Sequence, residues 1–407
     1  MRLLFSTIGS RGDVQPLVAL ASHLKALGHE VRLCVPPDFR EWIENLGMPV
    51  IPIGPEVRRF AASRPTATQP QKLLTAEQRR QMAEATVATQ FETMTSAAQG
   101  CDAIVAATAL QVAARSVAEK SGISYVFAAY APVVLPSPHH APPPLPPVPG
   151  QALHTTHDNC ELWAQDAARF NDLFGAAVNA RRTSLGLAEI TDVKRHMTTD
   201  QPWLAADATL GPWPDPTESR IFQTGAWILP DGRPLPRNLD HFLESGEPPI
   251  YFGFGSTRAP EDAGPVMIQA ARELGRRAIV SQGWFDDSLV PNERDCLSIG
   301  EVNVHALFPR VAAVVHHGGA GTTTAAALAG APQVVIPNHY DQHYWAQRVQ
   351  TLGIGTAHAA GAPTRDSLVS ALAQSLRPEV AARARAVAGT VRRDGTRVAA
   401  ERLLALV

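Results

Sequence analysis

Residues 1–28 read MRLLFSTIGSRGDVQPLVALASHLKALG, and this stretch decides the fold. Leu3–Ile8 is an apolar run of strand length that stops at Gly9. From Asp13 to Leu27 apolar residues recur at helical spacing, and Gly28 stands where such a helix would end. Val31–Val35 is the next apolar run, broken by Pro36-Pro37, and Asp38 is suited to cap a helix running through Leu46. Met48–Ile53 reads as a third strand. Strand, helix, strand, helix, strand predicts a parallel sheet with right-handed crossovers. Ala103–Ala107 and Tyr125–Ala129 extend it as further buried strands.

The second half restarts the pattern. Ile250–Phe254 is a strand ending in Gly255-Ser256, with a helix through about Leu274 and a strand Ala278–Ser281. Ala312–Val315 runs into His316-His317-Gly318-Gly319-Ala320-Gly321, and Thr322–Leu328 is helical. Gln333–Ile336 is a strand, and Asp341–Leu352 a helix capped near Gly353. The expected fold class is therefore α/β, with two parallel-sheet domains in tandem. Pro132–Gly150 is too rich in proline for a helix or a central strand, and reads as a mobile surface loop rather than an acceptor pocket wall. Residues 213–237 carry several more prolines and read as an interdomain linker. The C-terminal residues form an amphipathic helix rich in Ala, Arg and Leu.

Bulk properties exclude several classes. The chain has 407 residues, 45% of them apolar, and a formal net charge of −2. No basic tract marks a nucleic-acid surface. The cysteines Cys34, Cys101, Cys160 and Cys296 form no CxxC pair, so neither a zinc site nor a disulfide framework is implied. Met1–Ile8 is too short for a secretory signal, and no run approaches the ~20 apolar residues of a membrane span. A soluble cytoplasmic protein and a monomer are the defaults.

Three segments carry chemistry. The first turn, Gly9-Ser10-Arg11-Gly12-Asp13, lacks the GxGxxG spacing of a dinucleotide site, and the second strand ends without an acid. Asp13 opens a helix, where a carboxylate is stabilised by free N–H groups; the plain alternative is a simple helix-terminal acid. His316–Thr322 leads a buried strand into glycines and hydroxyls that open a helix, an anion site without the spacing of an NTPase loop. There His316 or His317 could donate to a phosphate oxygen, or either could be a satisfied core residue. Asp341-Gln342 could accept from and donate to sugar hydroxyls, or Asp341 could merely cap its helix. His339 and His343 have metal-ligand spacing, but lone histidines so placed are more often surface residues. The chain has no Asp-x-Asp pair, so a metal-free diphosphate site is the simpler reading. Trp203, Trp213, Trp227 and Trp284 could stack on a ligand ring, although most such aromatics are core.

Over nearly its whole length the chain resembles the glycosyltransferases of glycopeptide-antibiotic biosynthesis (the vancomycin group), and more broadly the bacterial natural-product and sterol branch of the GT-B superfamily. The resemblance rests on residues 9–13 with Pro16-Leu17-Val18-Ala19-Leu20, on residues 223–231, on Gly253-Phe254-Gly255-Ser256, on residues 316–322 and on Asp341-Gln342. It implies two Rossmann-like domains with a cleft between them: an acceptor-binding domain over 1–212, a linker over 213–237, a donor-binding domain over 238–390, and a last helix, 391–407, crossing back to the first domain. It implies Asp13 as general base, with Ser10, Arg11 and Gly12 near the donor's diphosphate and sugar. His316, His317, Gly318, Gly319, Gly321 and Thr322 would contact the diphosphate, and Ser256 belongs to the same region. Val302 and Trp284 would flank the base, and Asp341 and Gln342 would meet sugar hydroxyls. Gln15, where the glycopeptide enzymes have Glu, and the segment 337–340 depart from that pattern.

The expected activity is inverting, metal-independent transfer of a hexose from UDP-glucose or a dTDP-sugar to a small-molecule hydroxyl, on a glycopeptide aglycone or another polycyclic metabolite. No cofactor is expected, the nucleotide sugar being a substrate. The alternatives are a sterol or macrolide glucosyltransferase, an epimerase of nucleotide sugars, and a catalytically silent binding partner.

Overall fold

The computed structural model describes residues 1–62, 75–108, 110–144, 156–215, 217–218, 220–256, 263–283 and 293–407. They form two compact units: Met1–Ala206 with Trp213–Leu229 and Arg393–Val407, and Asp207–Pro212 with Pro230–Arg392.

The first unit is built on seven strands: β1 (Arg2–Thr7), β2 (Glu30–Val35), β3 (Val50–Pro52), β4 (Ala103–Ala107), β5 (Ser124–Ala129), β6 (Trp203–Leu204) and β7 (Phe222–Gln223). Their order is β3-β2-β1-β4-β5-β6-β7, and every pairing is parallel. The order reverses between β1 and β4, where Thr7 lies opposite Ala107. Leu3–Thr7 and all of β4 have no solvent exposure, as a parallel sheet covered on both faces requires. One face is covered by the helix Ala76–Ala97, whose Val87, Phe91 and Met94 pack against Leu4, Ile104 and Ala106. The long helix Asn159–Ser184 adds Phe174 and Val178 to that cluster. It is also tied down by Arg182, 2% exposed, whose guanidinium donates to Glu119 and to the Ala188 carbonyl.

The second unit has six strands: β8 (Ile250–Gly253), β9 (Ala278–Ser281), β10 (Cys296–Ile299), β11 (Ala313–His316), β12 (Gln333–Val335) and β13 (Gly355–Ala357). The order β10-β9-β8-β11-β12-β13 repeats the arrangement, again all parallel, and reverses between β8 and β11. Alternate residues of β8 serve opposite faces. Ile250 and Phe252 pack with Met267, Leu368 and Leu372, whereas Tyr251 packs with Leu239, Leu307 and Phe308.

Several expectations are revised. Asp38 does not cap the helix that follows it; its carboxylate accepts from the N–H groups of Val57 and Arg58, at 2.6 and 3.1 Å, and so caps the helix Val57–Ala62. The described part of the proline-rich stretch, 132–144, is docked rather than loose: Pro132, Leu135 and Ser137 are buried, and Trp163 Nε1 donates to the His140 carbonyl at 2.9 Å. Residues 145–150 lie outside the described residues. Residues 213–229, expected in the linker, belong to the first unit and supply its edge strand β7, while 207–212 belong to the second. The last helix runs Gly395–Leu404 and packs in the first unit against the helix Arg11–Ala26. Trp203, Trp213 and Trp227 are all buried. No helix among the described residues is long and apolar enough to cross a membrane.

Truncating Phe252, wholly buried at the centre of the second sheet, tests this core. Phe252→Ala should lower unfolding stability by about 3–5 kcal/mol, read as a shifted denaturant midpoint.

Candidate functional site

In open parallel sheets, ligands bind where the strand order reverses, at the carboxyl ends of the strands. Both reversals coincide with the motifs of the sequence. In the first unit, β1 runs through Ile8 into Gly9 and Ser10, and Ser10 caps the helix that carries Asp13 in its first turn. The Ser10 N–H donates to Asp13 Oδ2 at 2.6 Å, and the Ser10 hydroxyl to the same oxygen at 3.0 Å. Both of these bonds fall on Oδ2, and the N–H of Asp13 itself also bonds the carboxylate. Gly9 makes room: a Cβ there would overlap Oδ2 and lie 2.5 Å from Asp13 Cγ. Burial raises the Asp13 carboxyl above its ordinary range, and the bonds from Ser10 offset part of the rise.

Arg11 lies beside this cap. Its guanidinium stacks 3.5 Å from the centre of the Trp42 ring, and its Nε donates to Gln15 at 2.8 Å. Gln15 therefore orients Arg11. Gly12 is exposed, and the nearest group a Cβ there would meet among the described residues is the Ser10 hydroxyl, at 3.7 Å; protein packing does not demand a glycine at that position. Across the reversal, Thr108 leaves β4 with φ +74°, a conformation that strains a β-branched residue. Its hydroxyl donates to the Ile8 carbonyl at 3.2 Å, joining the two turns. Nothing in the sequence singled it out.

In the second unit, β11 delivers His316 to its carboxyl end, fully buried. Its Nδ1 accepts from the Gly318 N–H at 3.1 Å, which leaves Nε2 to donate to Gln333 Oε1 at 2.9 Å. Both ring nitrogens are thus engaged within the protein. Of the two readings, phosphate donor or satisfied core residue, these bonds match the second, and the ring shapes the turn. Gln333, a buried amide on β12, was missed, although a polar residue opening an apolar run was its signal.

His317 differs. Its Nδ1 is buried with no hydrogen-bond partner among the described residues. Gly318 takes φ +90°, and a Cβ there would lie 2.8 Å from Val335 and 3.0 Å from the Gln342 carbonyl. A Cβ on Gly319 would stand 2.7 Å from His317 Nε2, and one on Gly255 3.4 Å from its Cε1. The turns at 255, 317–319 and 342 therefore converge. Gly319 caps the helix Ala320–Leu328 with no side chain of its own. The first helical bond to it comes from the Thr323 N–H, so the N–H groups of residues 320–322 point out of the helix end. Thr323 and Thr324 return their hydroxyls to helix carbonyls, whereas Thr322 lies half-buried in the first turn.

Asp341 and Gln342 open the helix Gln342–Thr351. Gln342 Oε1 accepts from the N–H groups of Asn338 and His339, at 2.9 and 3.2 Å, so its acceptor holds the local backbone. Asp341 Oδ2 accepts from Trp345 Nε1 at 3.0 Å. Tyr340, just before them, has φ +57°. Ser256 is half-buried beside Gly255, Val302 packs on the Leu307–Phe308 cluster, and Trp284 lies outside the described residues. Next to Val302, Asn303 was missed: its amide donates to the carbonyls of Asp231 and Arg233, at 2.8 and 2.9 Å, fixing residues 231–233 to this loop.

Burial drives the His316 imidazole down to about 4 and that of His317 to about 3, from an ordinary 6.5. Between those values and 6.5 the unfolded chain binds more protons, so stability falls as pH drops through this window. Each histidine should contribute a slope approaching 1.4 kcal/mol per pH unit. Denaturant titrations from pH 6.5 to 4 should show it, and His316→Asn should reduce it. A flat profile would mean that these rings are not held neutral.

Comparison with known proteins agrees with this geometry. Residues 3–137 match the family model for the glycosyltransferase family 28 N-terminal domain, and residues 286–397 that for the erythromycin biosynthesis protein CIII-like C-terminal domain. The chain is 48% identical over 412 residues to glycosyltransferase GtfE of Amycolatopsis orientalis, covering 100% of this chain and 98% of that one. It is also 48% identical over 409 residues to the vancomycin aglycone glucosyltransferase of the same organism, covering 99% and 97%. Among solved structures, the glycosyltransferase of kitacinnamycin superposes with a TM-score of 0.72 at 18% identity, covering 99% of this chain and 98% of that one, which shows the shared fold. Two parallel sheets with matching reversals, the conserved-length alignment and these relatives lead to one assignment: the chain is a GT-B glycosyltransferase and belongs to the vancomycin-group glycosyltransferases of glycopeptide-antibiotic biosynthesis.

Proposed function

We propose that this glycosyltransferase moves a hexose, glucose first, from a UDP- or dTDP-sugar to a phenolic hydroxyl of a glycopeptide aglycone, by a single inverting displacement without a metal. The observation that carries the reading is the Asp13 carboxylate at the end of β1, gripped on Oδ2 by Ser10, with Oδ1 outside that grip. The acceptor oxygen attacks the anomeric carbon as its proton passes to Oδ1. The bond from that carbon to the diphosphate oxygen breaks, and the electron pair leaves with the diphosphate. A buried, more basic carboxylate suits this task, and a phenol, with pKa near ~10, yields its proton more readily than an aliphatic alcohol.

On the leaving side, the N–H groups opening the helix Ala320–Leu328 supply fixed positive potential. Thr322, Ser256 and His317 complete the diphosphate site. Because this potential is built into the backbone, and the chain has no Asp-x-Asp pair, no metal is assigned. Asp341 and the remaining amide of Gln342 are assigned to sugar hydroxyls. The glucose and the aglycone follow the name of the vancomycin aglycone glucosyltransferase.

The test is mass spectrometry of reactions with UDP-glucose or dTDP-glucose against glycopeptide aglycones, flavonoids, macrolides and sterols, with EDTA present. A hexose added to the aglycone in EDTA is expected; transfer only to a sterol or macrolide, or only with added metal, would overturn the corresponding part. Asp13→Asn should cut turnover about 10²–10⁴-fold while nucleotide affinity, read by calorimetry, is retained. Gly9→Ala should lower turnover with little change in KM, because its Cβ displaces the carboxylate.

A further inference from the structure

The helix that carries Asp13 has an internal weakness. Pro16 lies inside it, and a proline has no N–H to return to the carbonyl four residues earlier. The Gly12 carbonyl therefore lacks the usual bond from residue 16, and the turn that presents Asp13 has one fewer helical bond. A second anchor comes from elsewhere in the same unit. Tyr130, the residue after β5, donates its hydroxyl to the Asp13 main-chain carbonyl at 3.1 Å.

Tyr130 is itself seated by a chain of contacts. Its ring meets Trp227 edge-on, with centroids 6.2 Å apart. Trp227 is buried, and its Nε1 donates to Thr224 Oγ1 at 3.0 Å. The Thr224 N–H in turn donates to the Leu204 carbonyl of β6 at 3.0 Å. Gly225, at φ +91°, lies against Gly395 so closely that a Cβ on Gly395 would overlap the Ala226 carbonyl oxygen. Gly395 opens the last helix, which packs on the helix of Asp13. Residues 224–227, part of the segment that helped to identify the family, thus reach the helix of Asp13 through Tyr130 and Gly395.

We infer that Tyr130 is a positioning residue: seated by Trp227, it holds the backbone of the first helical turn so that the Asp13 carboxylate stays aligned for proton transfer. Burial and the neighbouring Asp13 charge push the Tyr130 hydroxyl upward, so it serves as a donor and not as a base. The inference rests on the assignment of Asp13 as the base.

The experiment compares Tyr130→Phe, Trp227→Phe, the double variant and Asp13→Asn in steady-state kinetics, thermal melting and calorimetric nucleotide binding. Tyr130→Phe should lower kcat about 10–100-fold, with both KM values within about twofold and nucleotide affinity unchanged. Trp227→Phe should lower kcat by acting through Tyr130, so the double variant should be no slower than Tyr130→Phe alone. A Tyr130→Phe enzyme with full kcat, or losses that multiply in the double variant, would overturn the inference while an inactive Asp13→Asn enzyme left the base assignment standing. An active Asp13→Asn enzyme would remove the base assignment, and the positioning role with it. Should Trp227→Phe not fold, the kcat and KM of Tyr130→Phe decide alone.

Discussion

The Asp13 carboxylate fills the space where a side chain on Gly9 would lie, and Ser10 grips it there through one oxygen. That contact requires β1 to end at Ile8, the helix to begin at once, and the strand order to reverse beside it. A capping interaction, ordinarily a matter of helix stability, here also holds the carboxylate proposed as the base. Burial then makes the group more basic than a surface aspartate. Structure and chemistry share the same few atoms, which is why a single methyl group on Gly9 would disturb both.

The second unit solves a complementary problem with the same topology. The diphosphate site proposed there calls for positive potential without a buried net charge, which would be expensive to desolvate. His316 is neutral and holds the turn by a bond at each nitrogen. The glycines at 318 and 319 admit no side chain between the turn, Gln342 and His317. What faces outward is the open end of a helix. Acid that charges these histidines would therefore attack the fold and the proposed diphosphate site together.

Much of this was legible from residue patterns. Both reversals announced themselves as an apolar run ending in glycine before a helix, at Ile8-Gly9 and at His316–Gly319. Burial on both faces made the central strands continuous apolar runs, so β1, β4, β8 and β11 stood out. The two-residue strands β6 and β7 did not, because a strand that short has no period to read, and prolines around β7 suggested a linker. Partnerships over long separations were also hidden. Asp38 caps a helix some twenty residues onward, Gln333 accepts from His316, and Tyr130 reaches Asp13 from another strand. Residue type announced a polar group in each case; only the folded register says what it serves.

The central claim is that Asp13, held by Ser10, is the group whose ionisation permits transfer. The most direct measurement is the pH dependence of kcat/KM for the wild type and for Ser10→Ala. The Ser10 hydroxyl lowers the Asp13 pKa by bonding its charged form, so its removal should move the acid limb of the profile to higher pH. An acid limb at the same pH in both enzymes would contradict the account, because the group that limits transfer would then be one that Ser10 does not touch.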